Sequence, residues 1–264
     1  MIVLITGITS GFGKAMAWRF SLAGHKVYGT HRHAYEFLPG VTYIKADASS
    51  EEDCRAAVQQ VLDAEGRIDV FINNAGMGIG GPLEFCTLEN AARQMDVNWM
   101  GMVRFLHFVV PVMRKQKSGR IICISSIGGL MGLPFQGLYS SSKFAIEGYC
   151  ESLRLELRGS GVSVTVVEPG DFSTGFTAAR VCVDGPEVNE AYPAYAESLK
   201  SIEHDEASGL KPDVLALKVL KIASCKRPPY TCVVATFVQK LSVFLKKICP
   251  KRLYAAMLAS YYKL

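Results

Sequence analysis

A tyrosine, a lysine and a serine in the middle of the chain have the types and spacing needed to transfer a proton to a carbonyl oxygen. Tyr139 and Lys143 are four residues apart, so both side chains leave one face if the segment is helical. A nearby ammonium favours the phenolate, and a shift of about three pKa units needs roughly 4 kcal/mol. We therefore expect Lys143 to lower the pKa of Tyr139, so that Tyr139 exchanges a proton near neutral pH.

Ser126 lies thirteen residues before Tyr139, where the apolar run RIICIS ends. A strand would finish there, and the hydroxyl would point into a cleft and hydrogen-bond the same substrate oxygen. The alternative is that the Tyr-x-x-x-Lys pair arose by chance on a solvated helix, which would be the default if the pair stood alone. The segments upstream decide between the two interpretations.

Those segments alternate between short apolar runs and helical patterns. Strands are predicted at 1–6, 26–30, 41–45, 68–72, 120–125 and 162–168, with an edge strand at 228–235. One helix should begin with a Ser49-x-x-Glu52 capping box and end at Gly66, and a long helix from Thr87 to Lys117 should be interrupted near 96–98. The alternation predicts an α/β fold of the Rossmann type, a doubly wound parallel sheet with helices on both faces.

A glycine-rich turn follows the first strand and opens the first helix. It contains Gly7, Thr9, Ser10, Gly11, Phe12 and Gly13. Glycines at these positions let the backbone approach a pyrophosphate, and the helix N-terminus offers free N–H groups. This turn predicts a dinucleotide cofactor, and a cationic nicotinamide would add to the effect of Lys143 on Tyr139.

The end of the second strand indicates which dinucleotide binds. An NAD enzyme places an acid there for the ribose 2′-hydroxyl, whereas this chain has Arg32 between two histidines. A guanidinium suits a 2′-phosphate, so we predict NADP(H). Glu36 is a competing acid, but we expect it to lie past the turn. If Arg32 is only a surface charge, the preference stays open.

Taken in order, T-G-x-x-x-G-x-G, Asn73-Asn74-Ala75-Gly76, Asn98, Ser126 and Tyr139-x-x-x-Lys143 resemble the short-chain dehydrogenase/reductase family from residue 1 to about 235. GGLMGLPF and SKFAIEG look closest to its 17β-hydroxysteroid and retinol dehydrogenase branch, whose substrates are hydrophobic. The resemblance implies further roles, with Asp47 and Ala48 at the adenine, Asn74, Ala75 and Gly76 beside the adenosine, Asn98 holding a water in a relay with Lys143, and Pro169, Gly170 and Thr174 against the nicotinamide. Asp171 and Phe12 depart from the family pattern, and Asp171 could alter the pocket wall.

Composition and charge restrict the remaining possibilities. With 264 residues and 49% hydrophobic content, we expect one domain at 1–235 with a substrate lid at about 170–212. The eight cysteines form no C-x-x-C pair, which indicates a reducing compartment, and the histidines show no metal-ligand spacing. Because the first residues run directly into the glycine turn, we expect no export signal and a cytoplasmic protein.

The tail at 236–264 is predicted to be basic, amphipathic and helical. Ten lysines and arginines follow Asp213 without any acidic residue. Phe237, Leu241, Phe244, Leu245 and Ile248 would share one helical face, and Leu253, Met257, Leu258, Tyr261 and Leu264 would form a second apolar set after Pro250. Such helices could lie on an anionic membrane, cover the substrate cleft or pack on another subunit. Nothing indicates nucleic-acid binding.

The predicted activity is NADP(H)-dependent interconversion of a ketone and a secondary alcohol. Tyr139 would act as acid or base, Ser126 would polarise the oxygen, and Lys143 would also bind the nicotinamide ribose. Candidate substrates are steroids, retinoids, long-chain keto-lipids such as 3-ketosphinganine, and β-ketoacyl chains. A non-catalytic dinucleotide sensor or scaffold is the rival, although a sensor needs no complete set of catalytic residues. Family membership implies a homodimer or homotetramer.

Overall fold

The computed structural model describes residues 1–33 and 37–264. The strands in these ranges are β1 (Ile2–Ile5), β2 (Lys26–His31), β3 (Val41–Lys45), β4 (Val70–Asn73), β5 (Ile79–Gly80), β6 (Gly119–Ile124), β7 (Val162–Pro169), β8 (Val181–Cys182) and β9 (Thr231–Val234). The α-helices are α1 (Gly11–Leu22), α2 (Glu51–Glu65), α3 (Leu88–Met95), α4 (Gly101–Gln116), α5 (Gly137–Glu156), α6 (Phe176–Ala179), α7 (Pro186–Ala191), α8 (Tyr195–Ser208), α9 (Pro212–Ser224), α10 (Phe237–Ile248) and α11 (Lys251–Tyr261).

Seven strands form one parallel sheet in the order β3-β2-β1-β4-β6-β7-β9. Val3 of β1 pairs with Val27 of β2 on one side and with Val70 of β4 on the other. The strand order therefore reverses at β1, and ligands of such sheets bind in the crevice at the carboxyl ends of the strands beside this reversal. The predicted doubly wound fold is confirmed, and β9 is the predicted edge strand.

Helices cover both faces of this sheet. On one face α2, α4 and α5 enclose a core that contains Phe71 and Phe105, whose ring centroids are 5.6 Å apart. On the other face α1 and α9 bury residues such as Phe20 and Leu215. Because both faces are covered, β1 and β4 at the centre of the sheet are nearly continuous apolar runs without polar alternation. The rigid sheet between two helical layers holds the strand ends that carry the site.

The start of α2 differs from the prediction. Ser50, and not Ser49, is the N-cap, and its Oγ accepts a 3.2 Å hydrogen bond from the Asp53 amide. The Ser49 hydroxyl instead donates to Asp47 at 2.8 Å. The predicted capping box was wrong because either of two adjacent serines can cap the helix, and the Ser49 hydroxyl is bound to Asp47. The helix does end at Gly66, which has a φ of 70°.

Two further segments can be compared with the predictions. The long helix from 87 to 117 is interrupted near 96–98 as predicted, because a π-helical turn, Asp96–Met100, separates α3 from α4. The segment 170–212, predicted as a substrate lid, contains the helices α6, α7 and α8. Since α6 and α7 have four and six residues, they are too short to show a helical period.

Candidate active site

A cavity of 760 Å³ opens at the carboxyl ends of the central strands. Its wall is built from the glycine turn, the ends of β4, β6 and β7, the start of α5, the segment 170–212 and the last two helices. Cavities of this size accommodate small-molecule ligands. The structure thus gathers segments that are distant in the sequence around one space.

The glycine turn has the shape that a pyrophosphate requires. Gly7 has a φ of 71°, and a Cβ on Gly13 would stand 1.9 Å from the Gly7 carbonyl oxygen. Within the described residues the Ser10 side chain makes no capping hydrogen bond, and the first turn of α1 has no acidic residue. Amide groups therefore remain available for an anion beside Thr9, Ser10, Gly11 and Phe12, which line the cavity. Gly13 is not among the described lining residues and serves the packing of α1.

The predicted adenosine-binding residues lie at one end of this cavity. Its lining there includes Arg32, Asp47, Ala48, Asn74, Ala75 and Gly76. The Asn74 Nδ2 donates to the carbonyl oxygens of Thr6 and Gly7 at 3.0 and 2.9 Å, which ties β4 to the glycine turn. Burial opposes ionisation of Asp47, but Ser49 hydrogen bonds and the Arg32 and Arg104 charges lower its pKa. Glu36, the competing acid, lies outside the described residues.

The predicted catalytic side chains meet where β6 ends and α5 begins. Lys143 is buried, and its Nζ donates a 2.9 Å hydrogen bond to the Ile124 carbonyl oxygen and lies 5.6 Å from the Tyr139 ring centroid. Ser126 caps a 3₁₀ turn, Ile127–Gly129, by accepting a 3.0 Å hydrogen bond from the Gly128 amide. Ser126, Tyr139 and Lys143 all line the cavity.

The pKa of Tyr139 does not follow the prediction. Burial raises it to about 12, and a hydrogen bond from Ser126 lowers it by less. The Lys143 charge is not among the main causes of this shift, and burial lowers the pKa of Lys143 itself to about 8. The sequence shows which charges are neighbours, but the loss of water around them depends on the whole fold. The prediction of a lowered Tyr139 pKa was therefore wrong.

Asn98 has a different environment from the one expected. It lies in the π-helical turn, and its Oδ1 accepts from the Met77 amide at 2.8 Å while its Nδ2 donates to the Ser142 hydroxyl at 2.9 Å. Asn98 is not among the described residues that line the cavity. Its side chain links the loop between β4 and β5 to α5. Its predicted part in a water relay stays a prediction.

The segment after β7 forms another part of the wall and packs against the glycine turn, since the Phe172 ring centroid lies 4.8 Å from that of Phe12. Pro169, Gly170 and Thr174 line the cavity as predicted. Phe176 and Glu206, which were not predicted from the sequence, also line it. The Phe176 ring centroid lies 5.6 Å from that of Tyr139, and Glu206 forms an ion pair with Arg180. Their only signal in the sequence is their place within the predicted lid.

The last two helices close the same cavity. Leu245 of α10 and Leu258 of α11 line it, and both pack against a cluster formed by Ile127, Met131, Val243 and Tyr254. Of the three alternatives for the tail, the structure therefore shows that it covers the cleft. No helix among the described residues combines the length and hydropathy needed to cross a bilayer.

Part of the predicted apolar face of α10 does not pack against the body. Phe237, Phe244 and Ile248 are 80%, 56% and 60% exposed. Of the same predicted face, Leu241 and Leu245 line the cavity, and Leu245 packs on the cluster that contains Val243. The face formed by Phe237, Phe244 and Ile248 is thus apolar and uncovered, next to the exposed lysines of the same helix.

Comparison with known proteins gives a consistent result. The family model described as short chain dehydrogenase matches residues 1–181. The chain is 45% identical over 262 residues to the 3-ketodihydrosphingosine reductase of Bacteroides thetaiotaomicron, covering 99% of this chain and 97% of that protein. It is 39% identical over 191 residues to human 17-beta-hydroxysteroid dehydrogenase type 1, covering 66% and 58%. A solved short-chain dehydrogenase from Streptomyces avermitilis has a TM-score of 0.82 at 27% identity, covering 99% and 97%.

Proposed function

The chain belongs to the short-chain dehydrogenase family of nicotinamide-dependent oxidoreductases that act on alcohols and ketones, and we propose that it reduces a long-chain ketone such as 3-ketosphinganine with NADPH. The observation that carries the proposal is the joining of Tyr139, Ser126 and Lys143 to an apolar wall in one cavity. Similarity to a 3-ketodihydrosphingosine reductase over almost the full length supports the choice of substrate.

Each catalytic residue has a role that its position supports. A bound nicotinamide supplies the hydride, and the chain's residues hold the carbonyl and move the proton. The Ser126 hydroxyl polarises the carbonyl oxygen by donating to it, and the Tyr139 phenol transfers its proton to that oxygen. Lys143 supplies positive charge beneath the phenol and binds the ribose, while Asn98 supports the proton supply.

A steroid or retinoid ketone is the second candidate. Similarity to human 17-beta-hydroxysteroid dehydrogenase type 1 favours it, although that match covers a smaller share of both chains. A β-ketoacyl chain or a non-catalytic dinucleotide sensor would be the remaining interpretations.

We also propose a cofactor preference, a membrane contact, a location and an assembly state. The exposed Arg32 beside the cavity supports NADPH, because a guanidinium pairs with a 2′-phosphate. The uncovered apolar face of α10 and its lysines support contact with an anionic membrane, from which a lipid substrate would enter. We further propose a cytoplasmic location and assembly as a homodimer or homotetramer.

The test is NADPH consumption with 3-ketosphinganine, a steroid ketone, retinal and a β-keto ester. We expect turnover with 3-ketosphinganine and a loss of roughly a thousandfold or more in kcat for Tyr139→Phe. Tyr149→Phe, on the same helix, is the matched control. Turnover only with another ketone would replace the substrate assignment, and tight NADPH binding without any turnover would favour a sensor.

A further inference from the structure

Asp171 places a carboxyl group in the cavity wall. Its side chain accepts a hydrogen bond from Gln239 Nε2, and it takes part in no ion pair within the described residues. The Gln239 Oε1 accepts from the Thr236 amide at 3.1 Å in the capping box of α10. Because that bond orients the amide group, Gln239 presents its donor to Asp171, and the second carboxylate oxygen remains available to a ligand.

The neighbouring acids are satisfied within the protein. Glu206 pairs with Arg180 through one oxygen and accepts a 2.6 Å hydrogen bond from Thr177 through the other. Asp205 accepts a 2.6 Å hydrogen bond from the Tyr261 hydroxyl. Arg180 forms its ion pair with Glu206 and acts on Asp171 only through its charge, so the negative charge of Asp171 is only partly compensated. A partly buried charge of this kind is costly unless a cation pairs with it.

Asp171 lines the same cavity as Tyr139, the proposed proton donor to the reacting carbonyl. It directly follows Pro169 and Gly170 in the wall, and its charge acts on the pKa of Tyr139. In 3-ketosphinganine the carbon next to the ketone carries an ammonium group, so an ammonium must lie beside Tyr139 whenever the ketone does. Steroid and retinoid ketones carry no cation there.

We propose that Asp171 binds the ammonium group of an α-amino ketone and thereby selects sphingoid-type ketones over amine-free ones. The inference rests on the proposed reduction of a long-chain ketone. It gives a chemical role to Asp171, one of the two residues that depart from the family pattern in the sequence.

The test compares 3-ketosphinganine with 1-hydroxyoctadecan-3-one, which has the same chain, hydroxyl and ketone but no amine. The readout is the ratio of kcat/KM for the two ketones. We expect Asp171→Asn to lower this ratio roughly tenfold or more, because a charge-assisted hydrogen bond is lost. Asp171→Glu, which keeps the charge, should recover part of the ratio. Glu203→Gln, an exposed charge change on α8, is the matched control.

The outcomes separate the inference from the proposed function. Wild-type protein that reduces neither ketone would overturn both. Wild-type protein that reduces both, with a ratio unchanged in Asp171→Asn, would overturn the role of Asp171 alone. An equal loss on the two ketones would show that Asp171 only supports the fold around Gln239. An equal effect in Asp205→Asn would show a general field instead of a contact.

Discussion

The Lys143 ammonium lies 5.6 Å from the centre of the Tyr139 ring and donates its 2.9 Å hydrogen bond to the Ile124 carbonyl oxygen. Its position is therefore set by the end of β6 as well as by α5. Burial lowers the pKa of Lys143 to about 8 and raises that of Tyr139 to about 12. Near pH 7 both groups are protonated, and the phenol is in the form that a proton donor needs.

This arrangement predicts opposite pH dependences for the two directions of reaction. Reduction uses the Tyr139 phenol, so its kcat/KM should be nearly constant from pH 6 to about 8. Alcohol oxidation uses the phenolate, so its kcat/KM should rise roughly tenfold per pH unit over the same range. Initial rates in both directions give the measurement. Oxidation that is equally fast at pH 6.5 and 9 would mean that Tyr139 ionises far below 12 in the working enzyme.

Cofactor preference should depend on Arg32. Replacing it with Asp removes the guanidinium and places a negative charge beside the 2′-phosphate. We expect kcat/KM with NADPH to fall roughly a hundredfold, whereas NADH should be used better than before. Arg55→Asp, at an exposed position of α2, is the control. An unchanged ratio of NADPH to NADH would remove Arg32 from the cofactor site.

Membrane binding should depend on the uncovered face of α10. We expect the wild type to sediment with phosphatidylcholine vesicles that contain phosphatidylserine, and to release as salt concentration rises. Phe237→Glu with Phe244→Glu should reduce binding roughly tenfold or more, because two apolar groups no longer enter the interface. Leu88→Glu alters an apolar residue that is 90% exposed outside the tail. If that variant loses binding equally, the tail is not the contact.

The buried carboxyl group of Glu168 should make the free energy of unfolding depend on pH. It is 1% exposed, its Oε2 has no hydrogen-bond partner in the part of the chain that the structure describes, and burial and Glu147 raise its pKa to about 7 against Lys247 and Arg154. A raised carboxyl pKa stabilises the fold fully below the unfolded value of 4.5, and this contribution is lost as pH rises through 7.

The free energy of unfolding should therefore fall by roughly 2 kcal/mol between pH 5 and 8 through this group. Glu168→Gln should remove most of that slope in urea unfolding measurements at both pH values. Glu151→Gln, an exposed change on α5, should leave the slope as it is. A Glu168→Gln slope equal to that of the wild type would show that Glu168 does not titrate in this range.

Local spacing was enough to predict the alternating elements, the glycine turn and the Tyr139 and Lys143 pair. Residues that share one helical turn, or that follow one strand, have relative positions set by backbone geometry. The end of α2 at Gly66 follows for the same reason, because a left-handed residue stops a helix wherever the rest of the chain lies.

Other features were decided only when distant segments came together. Asp171 and Gln239 are 68 residues apart, and no local pattern connects them. The short helices α6 and α7 are held by the surfaces on which they rest. The pKa of Tyr139 and the exposure of Phe244 depend on how much water the surrounding chain removes, and that is a property of the packed molecule. The sequence by itself determined which groups could react, and the tertiary structure decided their charge, their partners and the shape of the space between them.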